Sequence, residues 1–359
     1  MRNREENSIT QILKLIAPGT PIRDGLENIL RAKTGALLLI TDNNDVIKEV
    51  VDGGFTINED YTSSKLYELA KMDGAIILSG DLKKILYANA QLIPSYEIHT
   101  SETGTRHRTA ERTAKQTGEL VISISQRRSI ITVFKGNDRY ILEDTEVVLN
   151  KANQAIQTLE KYKKVFDNKL NILNEYEFND IVTLQNVLVA IQRAEMVMRI
   201  VEEIKRQISE LGQDGRLVNM QLEELIGGLE KEELLIIKDY MLSTKKDRTS
   251  ETVIEKLQEL SYEDLLKENI IAKILGYETF DNYDEVAVYT RGYRILSKIP
   301  RMPANIVENL VESFKSFQHI LAADIESLDE VDGIGEVRAR TIKQSLKRMQ
   351  EQFVFDNIF

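Results

Sequence analysis

Residues 119–144 read ELVISISQRRSIITVFKGNDRYILED, three short apolar runs separated by turn residues. The runs at 119–125, 129–134 and 139–144 have the length and the β-branched content that are typical of strands. The residues QRR and KGND stand between them, and the KGND gap is short enough for a hairpin. This stretch therefore predicts strands that follow one another through tight turns.

The same pattern extends upstream through the first 145 residues. Four more runs typical of strands are GALLLIT (35–41), VIKEVV (46–51), GAIILSG (74–80) and KKILYANAQL (83–92). Helical patterns lie near residues 8–16, 24–33, 63–72 and 109–117. Strands mixed with helices in this way predict an α/β domain, a mixed sheet flanked by helices.

Downstream of this region the pattern becomes helical. No proline occurs between residues 95 and 299, and apolar residues recur at steps of three or four over 148–173 and 181–211. Two long helices are therefore predicted, the second ending at Gly212, with shorter helices to about residue 275. From about residue 289 onward, two successive helix–turn–helix units are expected.

The charge of the chain follows the same division. The net charge is −11, yet residues 1–145 hold 19 basic and 20 acidic groups, and residues 286–359 hold 10 of each. Residues 146–285 hold 18 basic and 28 acidic groups, so both ends of the chain can present basic patches. We predict three domains with these bounds: an α/β domain, an all-α spine and an all-α C-terminal domain.

Two absences narrow the class of protein. The 359-residue chain contains no cysteine, which excludes disulfides and thiolate zinc sites. No stretch approaches the roughly 20 apolar residues of a membrane helix, and the N-terminus does not resemble a secretory signal. We expect a soluble, cytoplasmic, multidomain protein.

Residues 328–346, LDEVDGIGEVRARTIKQSL, have the pattern of a helix-hairpin-helix. Gly333 and Gly335 permit a tight hairpin that presents backbone N–H groups at the start of a helix, where a phosphate oxygen binds well. The helix then carries basic side chains at Arg338, Arg340, Lys343, Lys347 and Arg348. These features predict sequence-independent contact with the DNA backbone. The upstream KIPRMPANIVENLV (298–311) is interpreted as a degenerate first copy, with prolines in place of the glycines and a packing role.

Two stretches of the α/β domain carry polar groups suited to chemistry. GTRHRTAERTAKQTG (104–118) holds Gly104, Thr105, Arg106, His107, Arg108 and Thr109 in succession. Arginine donates paired hydrogen bonds to phosphate oxygens, and the positive end of the following helix adds to that attraction, so an anion site is predicted. In MDGAIILSG (72–80), Asp73 precedes Gly74, Ala75 and a strand, a position from which a carboxylate can hold a hard cation or orient a hydroxyl group.

These residues carry a resemblance to a known family. DGAIILS, GTRHRTAERTAKQTG and ELVISISQRRSIITVF resemble the diadenylate cyclase domain, and the whole chain resembles the DNA integrity scanning family of bacterial diadenylate cyclases. The resemblance implies condensation of two ATP molecules into cyclic di-AMP, with release of two pyrophosphates and with Mg²⁺ or Mn²⁺ as cofactor. It further implies binding of branched or recombination-type DNA and a homo-octamer with the cyclase domains at its centre.

The resemblance also implies a role for each matching residue. Asp73 would hold the metal ion and activate the ribose 3′-hydroxyl group, and it would form the catalytic set with Arg106, His107 and Arg108. Gly74, Ala75 and Leu92 would line the nucleotide site, with Leu92 against the adenine. The phosphates would be surrounded by Gly104, Thr105, Arg106, His107, Arg108, Thr109 and Ser125. Arg127 and Arg128 are weaker candidates, proposed from their charge alone.

A second function stays open at this point, a non-catalytic DNA-binding scaffold whose N-terminal domain only senses a nucleotide. Asp73 distinguishes the two, since a sensor needs the arginines but no metal-bearing carboxylate. A helicase or nuclease is disfavoured because the sequence has no P-loop and no dense carboxylate cluster. His99, His107 and His319 lie far apart, so we expect no histidine-rich metal site.

Overall fold

The structure is a computed structural model that describes residues 10–242 and 248–356. Its contacts divide the chain into two compact units. The first comprises Met1–Gln154 and Ile204–Met220, and the second comprises Ala155–Glu203 and Gln221–Phe359. The predicted fold class is confirmed, an α/β sheet followed by all-α segments. The bounds of three separate domains stay a prediction.

The first unit is built on a mixed β-sheet. In the described residues its strands are β1 (Ala36–Ile40), β2 (Val51–Asp52), β3 (Phe55–Asp60), β4 (Ala75–Leu78), β5 (Lys84–Leu92), β6 (Leu120–Ser125), β7 (Ile130–Lys135) and β8 (Asp138–Leu142). Their order across the sheet is β2-β5-β4-β1-β6-β7-β8, and β3 also pairs with β5. Strands β1 and β4 run parallel, whereas β6, β7 and β8 form the successive antiparallel pairs that residues 119–144 predict.

Helices cover both faces of this sheet. They are α1 (residues 10–15), α2 (Pro21–Arg31), α3 (Asn44–Val50), α4 (Ser63–Leu69) and α5 (Thr105–Thr117). Alternate side chains of β1 point to opposite faces, as the two-residue period of a strand requires. Leu38 packs in one apolar cluster with Leu26 of α2, and Leu39 packs in another with Ala110 of α5.

Two elements of this unit differ from the prediction. The strand predicted at 46–51 is wrong, because Asn44–Val50 form helix α3. Asn43 caps that helix by accepting a hydrogen bond from the Asp45 N–H (2.9 Å), and Val46 and Val50, four residues apart, are buried. Strand β3 was not predicted at all, because its side chains are mostly exposed and give no apolar alternation.

The remaining described helices include the two long ones that the sequence predicts. They are α6 (Thr145–Asn179) and α7 (Leu184–Leu211), and Gly212 follows α7 with a left-handed φ of 52°. After a 3₁₀ turn (Gly212–Gly215) come α8 (Arg216–Ile226), α9 (Leu229–Tyr240), α10 (Ser250–Gln258), α11 (Tyr262–Leu265) and α12 (Glu268–Leu275), with a second 3₁₀ turn at Tyr283–Glu285. No helix in the described ranges is long and apolar enough to cross a bilayer.

The C-terminal helices repeat one hairpin plan. They are α13 (Tyr293–Ser297), α14 (Ala304–Phe314), α15 (Phe317–Ala322), α16 (Ile325–Asp329) and α17 (Glu336–Asp356). In the α16–α17 hairpin the Ile334 N–H donates to Val331 (3.0 Å), and in the α13–α14 hairpin the Met302 N–H donates to Ile299 (3.2 Å). The first copy predicted from the sequence is therefore present as a structural repeat.

The repeat also shows which residues replace the two glycines. When the two hairpins are aligned by this shared hydrogen bond, Arg301, with a left-handed φ of 59°, occupies the place of Gly333, whose φ is 81°. Pro303 occupies the place of Gly335. The prediction of prolines at both glycine positions is thus corrected at one of them, where an arginine takes up the left-handed turn.

Candidate functional site

The strand register brings several of the predicted site residues to one edge of the sheet. Ala75 pairs with Ala90, so the start of β4 and the end of β5 meet at this edge. Ala36 pairs with Ile124, so the start of β1 and the end of β6 meet there as well. Asp73, Gly74, Leu92 and Ser125 therefore lie at the same edge of the sheet.

Helix α5 begins earlier than predicted. The sequence suggests a basic turn followed by a helix near residue 109, but the helix starts at Thr105, directly after Gly104 with its φ of 92°. The Arg108 N–H already donates to the Gly104 carbonyl (3.1 Å), so Arg106, His107 and Arg108 form the first turn. Gly104 at the N-cap position has no side chain that could cap this end, which leaves backbone N–H groups available to an anion. Gly118, with a left-handed φ of 70°, ends the helix directly after residue 117, where the helical pattern of the sequence also ends.

Arg106 reaches from this first turn toward Asp73. Its Nη2 atom lies 3.8 Å from Oδ1 of Asp73, and the Asp73 side chain is fully exposed, at 108%. The guanidinium also lies against Gly35, where a Cβ atom would come within 2.3 Å of Nη1 of Arg106. Only glycine at position 35 leaves room for Arg106 in this place, a requirement that the sequence pattern does not reveal.

His107 faces in the opposite direction, into the interior of the domain. The residue is 6% exposed, and its Nδ1 and Nε2 atoms lie 3.1 Å and 3.2 Å from the hydroxyl groups of Ser123 and Thr132. Burial lowers the pKa of His107 below its ordinary value, although the nearby Glu102 opposes this effect. The imidazole thus fixes helix α5 to strands β6 and β7, and both ring nitrogens have partners within the protein.

The other predicted phosphate ligands differ in accessibility. Thr105 and Arg108 are exposed on the first turn of α5, and Thr109 is half-buried one turn further along. Ser125 ends β6, and its hydroxyl group accepts a hydrogen bond from the Arg128 N–H (3.2 Å). The Arg128 guanidinium donates to Thr103, while Arg127 is exposed.

The segment between β5 and α5 is held against the helix by three side chains. Arg112 donates to the Ile98 carbonyl (2.9 Å), and Lys115 donates to the His99 carbonyl (3.1 Å) and to Glu111 (2.7 Å). Glu111 also accepts a hydrogen bond from Thr100. Arg112 and Lys115 therefore bind the chain segment that connects Leu92 to Gly104.

The α16–α17 hairpin places the two glycines in different surroundings. A Cβ atom at Gly333 would lie 2.6 Å from Cδ1 of Ile306, so this glycine is required by packing as well as by its φ of 81°. Gly335 has open space around it, and its carbonyl accepts the Ala339 N–H (3.0 Å) at the start of α17. The exposed tip of the hairpin is therefore at Gly335.

The basic residues of α17 do not form one uniform surface. Arg340 pairs with Glu336 (2.5 Å), and Lys347 lies 3.9 Å from Glu351. Lys343 is directed away from solvent, since its ammonium group donates to the carbonyls of Leu321 (2.7 Å) and Ala323. Arg338 donates to the Gly333 carbonyl, which places its guanidinium beside the hairpin tip. Arg338 is thus a basic side chain that lies at the hairpin itself.

Comparison with known proteins accounts for almost the whole chain. Residues 23–139 match the family described as DisA bacterial checkpoint controller nucleotide-binding, and residues 142–283 match the DisA bacterial checkpoint controller linker region. Residues 293–348 match the SAM-like helix-hairpin-helix tandem. The fold, the site and these matches define a diadenylate cyclase, a nucleotidyltransferase, joined by a helical linker to a helix-hairpin-helix DNA-binding module.

Full-length relatives identify the family. The chain is 55% identical over 359 residues to the DNA integrity scanning protein DisA of Clostridium kluyveri, with 100% of both chains covered. It is also 55% identical to the proteins of that name from Acetivibrio thermocellus (99% of this chain and 98% of the relative) and Clostridioides difficile (98% of each). The chain belongs to the DisA family of DNA integrity scanning proteins.

One solved structure with some likeness is that of DacA from Staphylococcus aureus. It is 20% identical to this chain, with 40% of this chain and 92% of that chain covered, at a TM-score of 0.29. A likeness at this TM-score supports no conclusion about this chain.

Proposed function

We propose that the chain condenses two ATP molecules into cyclic di-AMP and two pyrophosphates, across two copies of the nucleotide domain that face each other. The observation that carries the proposal is the 3.8 Å approach of Arg106 to the exposed carboxylate of Asp73, beside the uncapped start of α5. An anion-binding helix start and an exposed carboxylate at one sheet edge suit phosphoryl transfer. Catalysis of that reaction depends chiefly on the positioning of the reacting groups and on charge neutralisation.

In this proposal each group on the sheet edge has one task. The backbone N–H groups at the start of α5, with Thr105 and Arg108, hold the phosphates of one ATP. Arg106 neutralises charge that develops on the α-phosphate, and Asp73 accepts hydrogen bonding from the ribose 3′-hydroxyl group. As the hydroxyl group gives up its proton to Asp73, its oxygen attacks the α-phosphorus of the other ATP, the bond to the bridging oxygen breaks, and pyrophosphate leaves. His107 takes part by holding the first turn of α5 in place.

The residues present fit a divalent ion that shares its ligands with ATP. The described residues contain no cluster of three or more His, Asp or Glu side chains that could hold a metal ion, and in this proposal Asp73 supplies the carboxylate. Mg²⁺ is commonly held by one or two carboxylates together with substrate phosphates. When bound, Mg²⁺ or Mn²⁺ would neutralise phosphate charge and make the 3′-hydroxyl group easier to deprotonate.

The reaction requires a second copy of the domain. The sheet edge of one domain holds one ATP, and each 3′-hydroxyl group must meet the α-phosphate of the ATP held by the opposite domain. We therefore propose a homo-oligomer, an octamer by the family resemblance, that works in the cytoplasm where ATP and chromosomal DNA are both present. The exposure of Asp73 and Arg108 is consistent with a site that is completed by a second molecule.

Incubation of the full-length protein with ATP and either Mg²⁺ or Mn²⁺, followed by chromatography for cyclic dinucleotides, tests the proposal. We expect product from the wild type, a loss of at least about 100-fold in Asp73→Asn, and wild-type turnover in Asp45→Asn, an exposed aspartate of α3. Wild-type protein that binds ATP but forms no product with either metal would favour the nucleotide-sensing scaffold instead.

The C-terminal module is proposed to bind the backbone of branched DNA and to alter the rate of the cyclase. The open hairpin tip at Gly335, with Arg338 beside it, supports phosphate contact. Turnover measured with and without a four-way junction tests the coupling. A junction that binds tightly and leaves turnover unchanged would contradict it.

A further inference from the structure

Asn89 adopts a backbone conformation that a regular strand does not require. It lies within β5 with a φ of 52°, in the left-handed region that asparagine tolerates better than most residues. Ala75 of β4 pairs with Ala90, whereas Ile77 pairs with Tyr87, so β5 has one residue more than β4 in this interval. This irregularity is a β-bulge, a device that redirects the chain locally.

The bulge brings Asn89 into contact with Gly74. Its Oδ1 atom accepts a hydrogen bond from the Gly74 N–H at 3.2 Å. A Cβ atom at Gly74 would lie 2.4 Å from the carbonyl carbon of Asn89 and 2.5 Å from its Cα, so the two backbones touch. Because that N–H belongs to the peptide bond between Asp73 and Gly74, Asn89 fixes the plane of this peptide.

Packing in the core does not account for asparagine at this position. The side chain is exposed, while its neighbours Ala88 and Ala90 are fully buried and carry the packing of this part of β5. A left-handed residue within a strand is unfavourable unless the distortion serves a purpose elsewhere. In this structure the distortion places the Asn89 side chain where it accepts a hydrogen bond from the Asp73–Gly74 peptide.

We propose that Asn89 is a positioning residue that sets the direction of the Asp73 carboxylate for cyclisation. The proposal rests on the proposed function, which gives Asp73 its role. The Asp73 side chain is fully exposed, and the ion pair found for it in the described residues is the 3.8 Å contact with Arg106. Because so few contacts hold the Asp73 side chain, its direction is set mainly by the backbone conformation at Asp73. The hydrogen bond from Gly74 to Asn89 fixes that backbone.

Three variants in the full-length protein separate the hydrogen bond from the backbone conformation. Asn89→Gly keeps the left-handed conformation and removes the acceptor, and we expect kcat to fall about tenfold with KM for ATP changed less than about threefold. Asn89→Asp keeps both an oxygen acceptor and the tolerance of positive φ, and we expect kcat within about threefold of the wild type. Asn58→Gly is the matched control, because Asn58 is another exposed, left-handed asparagine (φ 49°), in the neighbouring β3.

The melting temperature of each variant is measured beside its kinetics. The proposal predicts that Asn89→Gly and Asn58→Gly melt alike while only Asn89→Gly loses kcat. Full kcat in Asn89→Gly, or equal losses in Asn89→Gly and Asn89→Asp, would overturn it. A loss confined to KM would also overturn it, since that result describes a nucleotide contact rather than the orientation of Asp73.

Asp73→Asn is run in the same series to keep the two proposals apart. Full turnover in Asp73→Asn removes the role of Asp73 and with it the basis of the inference about Asn89. An inactive Asp73→Asn together with a fully active Asn89→Gly leaves the proposed function in place and refutes only the role of Asn89.

Discussion

The Nδ1 atom of His107 lies 3.1 Å from the hydroxyl oxygen of Ser123, on the strand beneath helix α5. Ser123 pairs directly with Thr132 on β7, and the Thr132 hydroxyl group lies 3.2 Å from Nε2 of the same imidazole. Both hydroxyl residues are 0% exposed. The middle residue of the basic turn is therefore a buried connection between helix and sheet, flanked by Arg106, which reaches toward Asp73, and by Arg108, which is exposed.

This relationship predicts that His107→Ala lowers the stability of the fold, and that any loss of turnover follows from this loss of stability. The substitution leaves a cavity and two buried hydroxyl groups without their partner, which we expect to cost about 2–4 kcal/mol in the free energy of unfolding. Urea denaturation measures that cost. His99→Ala is the control, because His99 is an exposed histidine of the same unit.

The stability of His107→Gln should lie between that of the wild type and that of His107→Ala, since an amide can form a hydrogen bond with one of the two hydroxyl groups. We expect it to recover part of the stability and part of the turnover together. If His107→Ala had wild-type stability and lost turnover alone, the imidazole would act on the substrate and the positional role would be wrong.

A second prediction concerns the hairpin tip at Gly335. Its φ is outside the left-handed region, and no atom of the described residues lies within 4 Å of the place that a Cβ atom would take, so Gly335→Glu can fold without strain. The new carboxylate would repel a phosphate, and we expect DNA affinity to fall about tenfold or more while ATP condensation without DNA stays unchanged.

Gly335→Gln is the matched neutral variant for this experiment. We expect its affinity for DNA to lie close to that of the wild type, because it adds the same bulk without charge. Equal losses in the two variants would show that the tip is excluded from the DNA by size, and would contradict direct phosphate contact. Gly333 is unsuitable for this purpose, since its substitution would collide with Ile306.

A third prediction distinguishes the roles of Arg338 and Lys343, for which the sequence pattern predicts the same contact with DNA. Arg338→Gln should reduce the slope of log affinity against log salt by about one, as expected for one lost phosphate contact. Lys343→Met removes the hydrogen bonds to the Leu321 and Ala323 carbonyls, so it should lower the melting temperature and leave the salt slope unchanged. DNA titrations at several salt concentrations measure both slopes. A smaller slope in Lys343→Met would mean that its ammonium group leaves these carbonyls to meet DNA.

Much of the fold could be predicted because local pattern and tertiary structure agree there. The strands within 119–144 are apolar, short and bounded by turns, and each one forms. The run at 46–51 is ambiguous, because valines four residues apart fit one face of a helix as well as a strand. Only the structure shows that Val46 and Val50 are the buried residues of a helix that Asn43 caps.

The candidate site could be predicted in part for a similar reason. Asp73, Gly74 and the first turn of α5 are local patterns, visible in the sequence itself. Ser123, Thr132 and Asn89 act through the register of neighbouring strands, which the sequence does not state. One signal was available for the first two, since a hydroxyl residue in the middle of each of two adjacent apolar strands invites a shared buried partner.

A fourth prediction concerns the buried carboxyl group of Glu233 on α9. Glu233 is 3% exposed, and its Oε1 atom has no hydrogen-bond partner among the described residues. Burial, followed by the nearby carboxylates of Glu195 and Glu230, raises the pKa of Glu233 to about 8 from an ordinary 4.5. Between these two values the folded protein holds a proton that the unfolded chain releases, so this group's contribution to stability is full below pH 4.5 and is lost as the pH rises to about 8.

Glu233→Gln should remove that dependence, because the amide cannot ionise. We expect the variant to melt at a higher temperature than the wild type near pH 8, with the difference shrinking toward pH 5. Calorimetry of the full-length protein across this range measures the difference, with the exposed Glu259→Gln as the control. A difference that is constant with pH would mean that Glu233 ionises normally in the folded protein, with water or a cation beside it.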